Sequence, residues 1–218
     1  MLKVIPTILQ SLKKRQIILD KKIKHNRLSR PFFLNDNVVE VSRQLLGKYL
    51  VTNIDGKKTA GKIIETEAYQ ADGDKACHAY NYRRTKRTEV MFCQGGTAYV
   101  YLCYGIHHLF NVVTGPKENP QAVLIRAITP VDNLQLMLER RNFTINKPQL
   151  TSGPGVMSKA LGIQKIHTGM DLCQPDSIIW LEDRATIINP KDITASPRVG
   201  IDYAEECVSW PWRFRISS

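Results

Sequence analysis

The feature that most constrains the fold is a pair of strand-like runs separated by a very short turn. Residues 97–103 and 108–114 are rich in β-branched and aromatic side chains, and only four residues join them. Gly105 in that link supplies the backbone freedom of a tight turn. The pattern predicts an antiparallel hairpin with Tyr104 at its tip, and it favours antiparallel pairing for the rest of the sheet.

Strand and helix patterns intermix along the rest of the chain without a regular βαβ rhythm. Residues 49–53 and 59–69 predict a second hairpin, and the apolar run 121–127 predicts a buried strand that ends at Pro130. Short strands are expected at 177–181 and 186–188, and helices at 38–46, 131–142 and 155–161. These patterns predict an α+β fold: a single domain with a mainly antiparallel curved β-sheet, surrounding helices and a protruding β-hairpin.

The net charge of +11 is concentrated at one end of the chain. Residues 1–30 hold nine Lys or Arg and the single acid Asp20, so they carry +8 and leave only +3 for the rest. We therefore expect a basic N-terminal arm over 1–30 and the functional domain over 31–218. A basic arm can bind membrane lipids, RNA or nothing specific, and an organellar targeting peptide is a further alternative.

Cysteine usage and hydropathy bound the cellular environment. The five cysteines form no CxxC pair, which argues against a disulfide framework and against a thiolate zinc site. No apolar run reaches the roughly 20 residues that span a bilayer. We expect a cytoplasmic protein without a membrane partner, associated with the nucleoid if bacterial and nuclear if eukaryotic.

The segment ETEAY places two carboxylates where they could carry chemistry. Alternation along a strand puts Glu65, Glu67 and Tyr69 on one face. Carboxylates two positions apart lie roughly 6 to 7 Å from each other, so a partly dry site would raise the pKa of one and leave the other able to act as a base. The alternative is an ordinary solvated strand face.

A dense set of aromatic and hydrogen-bonding residues follows those carboxylates. Stacking rings beside His and Asn side chains suit a planar heterocycle, although strand tyrosines also commonly fill a sheet face. A metal site built from these histidines and Glu67 meets no standard ligand spacing, so no metal is expected. The set comprises His78, Tyr99, Tyr101, Tyr104, His107, His108 and Asn111.

Seven segments together resemble the alkyladenine, or 3-methyladenine, DNA glycosylase family. The similarity runs from about Leu34 to Phe214 and is most specific in ETEAY and AYVYLCYG. The seven segments are LLGKYL, KIIETEAYQADGDKACHAY, MFCQGGTAYVYLCYGIHHLFNVVTG, AVLIRAITP, SGPGVMSKALGI, PRVGI and PWRF. The resemblance implies a monomeric enzyme of base-excision repair that hydrolyses the N-glycosidic bond of alkylated or deaminated purines in double-stranded DNA, without a cofactor. No lyase step is expected, because a lyase uses an amine nucleophile and the stretch from Glu67 to Tyr104 holds no lysine apart from Lys75 and Lys86 in a polar loop.

The resemblance also implies roles for particular residues. Glu67 would activate water as the general base, with Arg126 and the backbone carbonyl of Val199 helping to hold the nucleophile. An arginine inside so apolar a strand independently requires an anionic partner, either Glu67 or another acid. Four residues would form the base pocket: Tyr69, His78, Tyr101 and Asn111, the last of which would exclude guanine.

DNA contacts are implied in the same way. Tyr104 would act as the wedge that fills the hole left by the flipped nucleotide. Phosphate contacts are expected from Arg83, Arg84, Lys86, Arg87 and Lys165. One departure weakens this part of the resemblance, because Val156 stands where the family usually has lysine. The alternative function is a non-catalytic nucleic-acid-binding protein.

Overall fold

A computed structural model describes residues 26–217, which contain nine β-strands and four α-helices. The helices are α1 Arg30–Phe33, α2 Val38–Gln44, α3 Leu134–Arg141 and α4 Pro154–Leu161. The strands are β1 Asn26–Arg27, β2 Tyr49–Ile54, β3 Lys57–Gln70, β4 Ala98–Cys103, β5 His107–Thr114, β6 Gln121–Asp132, β7 Ile179–Asp183, β8 Ile193–Ser196 and β9 Arg213–Ile216.

The strands form one open sheet around the long strand β3. Its order is β1-β7-β2-β3-β6-β5-β4, with β9 pairing to both β3 and β8, and every pairing is antiparallel. β3 can serve three neighbours because its first half pairs with β2, its second half pairs with β9, and β6 runs along nearly its whole length. The predicted α+β fold is confirmed.

Strand alternation divides the sheet into two chemically different faces. One face packs against α2, α3 and α4 in the main core, to which Phe110 of β5 and Ile125 of β6 contribute fully buried side chains. The opposite face carries the polar and aromatic residues that the sequence singles out. Those residues are Glu67, Tyr69, Tyr101, Asn111 and Arg126.

Three sequence-based expectations about the elements are wrong. β6 continues past Pro130 to Asp132, because the pairing with β3 shifts register where Pro130 faces Gly61, and proline is tolerated at such an irregularity. The following helix therefore starts at Leu134 rather than at residue 131. Residues 186–188 form no strand, and the late strands are instead β8 and β9.

The hairpin of β4 and β5 ends in an exposed turn. Tyr104 and Gly105 both have left-handed backbone conformations, with φ of 50° and 73°. The tyrosine side chain is 91% exposed at the tip, and the nearby Ile106 is 71% exposed. The predicted hairpin and its exposed aromatic tip are therefore confirmed.

The predicted basic arm lies mostly outside the described residues. Its last part is within them: β1 pairs with β7, and the Arg30 guanidinium binds the Asp171 carboxylate and the Gly95 carbonyl. The boundary between arm and domain stays a prediction. Over residues 26–217, no helix has the length and apolar character needed to cross a membrane.

Candidate active site

A cavity of about 290 Å³ opens on the sheet face opposite the helices. β3, β4, β5 and β6 supply its floor, and residues 199–203 close one side. Its walls combine aromatic rings with a carboxylate and a guanidinium. The lining includes Glu67, Tyr69, His78, Tyr99, Tyr101, Tyr104, Asn111, Arg126, Val199 and Tyr203.

Glu67 is fully buried, and both of its carboxylate oxygens accept hydrogen bonds. Oε1 accepts from the Val199 amide N–H at 2.8 Å. Oε2 accepts from the Tyr69 hydroxyl at 2.7 Å and from Arg126 Nη1 at 3.2 Å. A carboxylate has about four acceptor positions. Three donors therefore replace most of the water that Glu67 loses on burial and leave room for one more hydrogen bond.

Arg126 is held between two carboxylates. Its Nε donates to Glu65 Oε1 at 2.9 Å, while its Nη1 reaches Glu67. Arg213 of β9 donates to the same Glu65 oxygen at 2.6 Å. Burial opposes the charge of Arg126, but Glu67 and Glu65 together raise its pKa above the ordinary value. The predicted pairing of Arg126 with Glu67 is confirmed, and Glu65 fixes the other side of the guanidinium.

The segment that carries Val199 is tied to the sheet by a fully buried ion pair. Arg198 makes two hydrogen bonds to the Asp74 carboxylate, at 2.6 and 2.7 Å, and a third to the Ala68 carbonyl at 2.8 Å. This pairing sets the Val199 amide against Glu67. The contact made by Val199 is thus through its N–H, and the role implied for its carbonyl stays a prediction.

Tyr69 connects the carboxylate to the aromatic wall. Burial and the adjacent Glu67 carboxylate raise the pKa of Tyr69 well above its ordinary value, so the hydroxyl remains a donor to Glu67. The Arg198 guanidinium lies 4.7 Å from the centre of the Tyr69 ring. Tyr101 lines the same cavity, and burial raises its pKa as well. The two rings predicted to hold a base therefore line one cavity.

His78 belongs to a small network on the same wall. Its Nδ1 lies 2.8 Å from the Tyr99 hydroxyl, and Arg87 Nη2 lies 3.0 Å from its Nε2. The His78 ring meets the Tyr101 ring edge to face, with centroids 4.7 Å apart. Burial, together with the Arg87 charge, lowers the pKa of His78 to about 4. His78 is therefore neutral near pH 7.

Asn111 is buried in the cavity wall, and its amide is fixed by the backbone. Its Nδ2 donates to the carbonyls of Tyr99 and Leu109 at 3.1 and 3.3 Å. The side chain is only 4% exposed and cannot swing away from the wall without breaking these bonds. Asn111 therefore presents a fixed obstacle to any molecule in the cavity, consistent with the predicted exclusion role.

The candidate phosphate-binding residues fall into two groups. Arg83, Lys86 and Lys165 have exposed side chains, and the Lys165 backbone lies beside β5, where its N–H donates to His108. Arg84 and Arg87 are engaged within the protein. Arg84 binds the Glu118 carboxylate and stacks on Phe92, while Arg87 contacts the pocket wall. All five roles on DNA stay predictions.

Three residues of the site have no role that the sequence alone assigns. Glu65 is recognisable there only as one of two carboxylates, and Asp74 and Arg198 do not stand out. Long-range pairing between loops more than 100 positions apart leaves no local periodicity to detect. The one available signal is the charge of Arg198 beside Val199, since a buried arginine needs an anionic partner.

Over residues 26–217, no group of three or more His, Cys, Asp or Glu is arranged to hold a metal ion.

The fold and the cavity define a class of protein: an α+β domain with an aromatic pocket that contains a buried carboxylate paired with an arginine. The sequence model of the methylpurine-DNA glycosylase family matches residues 32–218. The chain belongs to this family of DNA repair enzymes, as its motifs predict, and is thus a DNA glycosylase of base-excision repair.

Individual relatives agree with that assignment. A protein of Chlamydia felis is 50% identical over 192 residues, covering 87% of this chain and 96% of the relative. One from Chlamydia pneumoniae is 48% identical over 191 residues, covering 87% and 95%. One from Bacillus thuringiensis is 50% identical over 191 residues, covering 84% and 93%. Each is described as "Putative 3-methyladenine DNA glycosylase".

Proposed function

We propose that this protein hydrolyses the N-glycosidic bond of alkylated or deaminated purines flipped out of double-stranded DNA. The substrate class includes 3-methyladenine, 7-methylguanine and hypoxanthine. The observation that carries the proposal is the buried Glu67 carboxylate on the wall of an aromatic cavity, paired with Arg126 and bound by the Val199 amide. The similarity to relatives described as "Putative 3-methyladenine DNA glycosylase" supports 3-methyladenine as one of these substrates.

Glu67 acts as a general base in the proposed reaction. It accepts a proton from water as the oxygen of that water bonds to the sugar C1′ and the bond from C1′ to the base breaks. Three donors hold the carboxylate in one orientation and leave one acceptor position for the water. A fixed base within hydrogen-bond reach of its proton is the geometric requirement of general-base catalysis.

The aromatic wall selects the base. N3- and N7-alkylated purines carry positive charge, and the face of a tyrosine ring attracts a cation by about 0.5 to 2 kcal/mol. Tyr69 and Tyr101 line the cavity and hold the purine between them in this proposal. Asn111, fixed by two backbone carbonyls, lies against the exocyclic amino group of normal guanine and excludes it by contact.

The proposed enzyme is monofunctional and leaves an abasic site. A lyase step requires an amine nucleophile, and the cavity lining within residues 26–217 includes no lysine. Lys75 lies on the neighbouring segment, but its Nζ is bound by Glu205 and Glu206 at 2.6 and 2.9 Å. We also propose that the protein works as a monomer, since one chain supplies the residues that line the cavity. The proposed location is the cytoplasm, in association with the nucleoid if the cell is bacterial, or the nucleus if it is eukaryotic.

The test is product analysis with defined lesions. Duplexes containing 3-methyladenine, 7-methylguanine or hypoxanthine are incubated with the protein, and the released bases are identified by mass. The proposal predicts free damaged purine, an intact phosphodiester backbone until alkali is added, and no protein–DNA adduct on borohydride treatment. Strand cleavage without alkali, or a trapped adduct, would refute the monofunctional step, and the absence of any released base would refute the function.

A further inference from the structure

Arg87 is exposed, and its guanidinium is held against the outer side of the cavity wall. Its Nη2 lies 3.0 Å from His78 Nε2, and its guanidinium carbon lies 4.8 Å from the centre of the Tyr101 ring. It is not among the residues that line the cavity, whereas His78, Tyr99 and Tyr101 are. One exposed arginine thus contacts His78 and Tyr101 from outside the wall, and it also interacts with Tyr99.

The contact between Arg87 and His78 fixes the direction of a hydrogen-bond chain. A guanidinium can only donate, so His78 Nε2 must accept and carries no proton. The proton of the neutral imidazole is then on Nδ1, which donates across 2.8 Å to the Tyr99 hydroxyl oxygen. The chain runs from Arg87 through His78 to Tyr99, and each member donates to the next.

The end of this chain lies in the cavity. Because its oxygen accepts from His78, the Tyr99 hydroxyl keeps its own proton for another acceptor. Among residues 26–217, no protein group accepts a hydrogen bond from the Tyr99 hydroxyl. Tyr99 is 3% exposed and lines the cavity, so an acceptor atom on a bound molecule can satisfy it. A buried hydroxyl without an acceptor costs free energy, which favours ligands that offer one.

We propose that Arg87 is a positioning residue that fixes His78 as its Nδ1–H tautomer and thereby makes Tyr99 a hydrogen-bond donor to the bound base. The ligand class is a base with an acceptor atom, a keto oxygen or an unprotonated ring nitrogen, on the edge that faces Tyr99. This inference rests on the proposed function, because it assumes that the cavity receives a base.

Electrostatics agrees with the hydrogen-bond geometry. The groups that face His78 are the Arg87 guanidinium, the Tyr99 hydroxyl and the Tyr101 ring. Burial and the Arg87 charge lower the pKa of His78 to about 4, which keeps the ring neutral and its Nε2 available as an acceptor. Burial raises the pKa of Tyr99 to about 12, so the hydroxyl remains protonated and able to donate.

Histidine tautomers can be read directly from imidazole ¹⁵N chemical shifts. In the full-length protein without DNA, we expect His78 to carry its proton on Nδ1 at pH 7 and to remain neutral down to about pH 5. Arg87→Met should move the proton toward Nε2 and raise the pH at which the ring titrates. Lys86→Met removes a charge from the same segment without touching His78 and should change neither. A proton on Nε2 in the wild type, or an unchanged tautomer in Arg87→Met, would overturn the proposal.

A double-mutant cycle tests the connection to the base. Arg87→Met and Tyr99→Phe should each lower the single-turnover rate of hypoxanthine release by roughly three- to tenfold, the effect of losing one neutral hydrogen bond. If Arg87 acts through Tyr99, the double mutant should be no slower than Tyr99→Phe alone. If the two rate losses multiply in the double mutant, the residues act independently, and the proposed hydrogen-bond chain from Arg87 to Tyr99 is rejected. If the wild type released no base at all, the proposed function would fail, while the tautomer measurement would still decide the role of Arg87.

Discussion

Glu67 shows how a charged side chain can be buried at the centre of a binding site. Removing a carboxylate from water is costly unless donors replace the lost hydrogen bonds. Here the replacements come from Val199, Tyr69 and Arg126, on three separate segments. Each donor therefore both lowers the cost of burial and restricts where the carboxylate can point.

His78 gives a prediction at the residue scale. Its pKa is about 4 in the folded protein and near 6.5 in an unfolded chain, so the unfolded state takes up the proton first as the pH falls. The stabilising contribution is complete above pH 6.5 and declines toward pH 4. At pH 5 the loss should amount to about 2 kcal/mol or less, since His78 is partly exposed.

Urea unfolding at pH 7 and pH 5 measures this loss. The variant His78→Gln cannot titrate and serves as the matched control. The wild type should lose more of its unfolding free energy between the two pH values than the variant does. Equal losses in both proteins would mean that His78 is not held neutral by the fold.

At the scale of elements, the sequence predicts most reliably those strands whose pattern is local. The hairpin of β4 and β5 follows from two β-branched runs around Gly105, and β3 follows from the alternation in ETEAY. β8 and β9 are only four residues long, and their pairing depends on β3, which lies far away in sequence. The passage of β6 through Pro130 depends on a register shift that no local pattern encodes.

The candidate site divides in the same way. Its side chains on β3 to β6 could be placed on one face by alternation, and the charge of Arg126 in an apolar strand required an acid. The loop contacts could not be derived from the sequence. They join Asp74 to Arg198 and Arg87 to His78, and these residues meet only because of how the loops fold. Sequence therefore predicted the floor of the cavity better than its sides.

The buried pair of Asp74 and Arg198 should stabilise the loop that carries Val199. Asp74→Asn leaves Arg198 buried without its counter-charge, and breaking such a pair typically costs about 3 to 5 kcal/mol. The double variant Asp74→Asn with Arg198→Met removes both charges and should recover part of that loss. Urea denaturation of the three proteins measures it. A double variant no more stable than Asp74→Asn alone would contradict the assigned pairing.

The exposed tip of the β4–β5 hairpin allows the proposed wedge role of Tyr104 in DNA distortion to be tested separately from folding. Its side chain is 91% exposed, so Tyr104→Ala should change the unfolding free energy by no more than about 0.5 kcal/mol. Loss of the wedge should nevertheless reduce base flipping roughly tenfold, since unstacking costs a few kcal/mol.

Flipping can be followed by the fluorescence of 2-aminopurine placed beside the lesion. Tyr104→Trp retains a flat ring at the tip and is the matched control, expected to flip nearly as well as the wild type. A Tyr104→Ala protein that flips at the wild-type level would exclude Tyr104 as the wedge.

At the scale of the whole molecule, we propose that the exposed cations bind the phosphates of DNA. The described residues include exposed cations at Arg83, Lys86 and Lys165, whereas Arg84 is paired with Glu118. Removing one cation that binds a phosphate should reduce the slope of log affinity against log salt concentration by about one. Replacing the three exposed cations by alanine should therefore flatten that slope by up to about three.

Arg84→Ala is the contrasting variant and should flatten the slope by less than any single one of the three. Fluorescence anisotropy with an undamaged duplex at several salt concentrations gives the slopes. An unchanged slope in the triple variant would show that DNA follows another face of the molecule.

The most direct test of the account is single-turnover base release by Glu67→Gln on a duplex containing hypoxanthine. Glutamine has nearly the same size and can still bind the cavity wall, but it cannot take a proton from water. We predict that release falls at least about 10²-fold, the usual contribution of a general base, while affinity for the damaged duplex is retained. Release at the wild-type rate would contradict the assignment of Glu67 as the group that activates water.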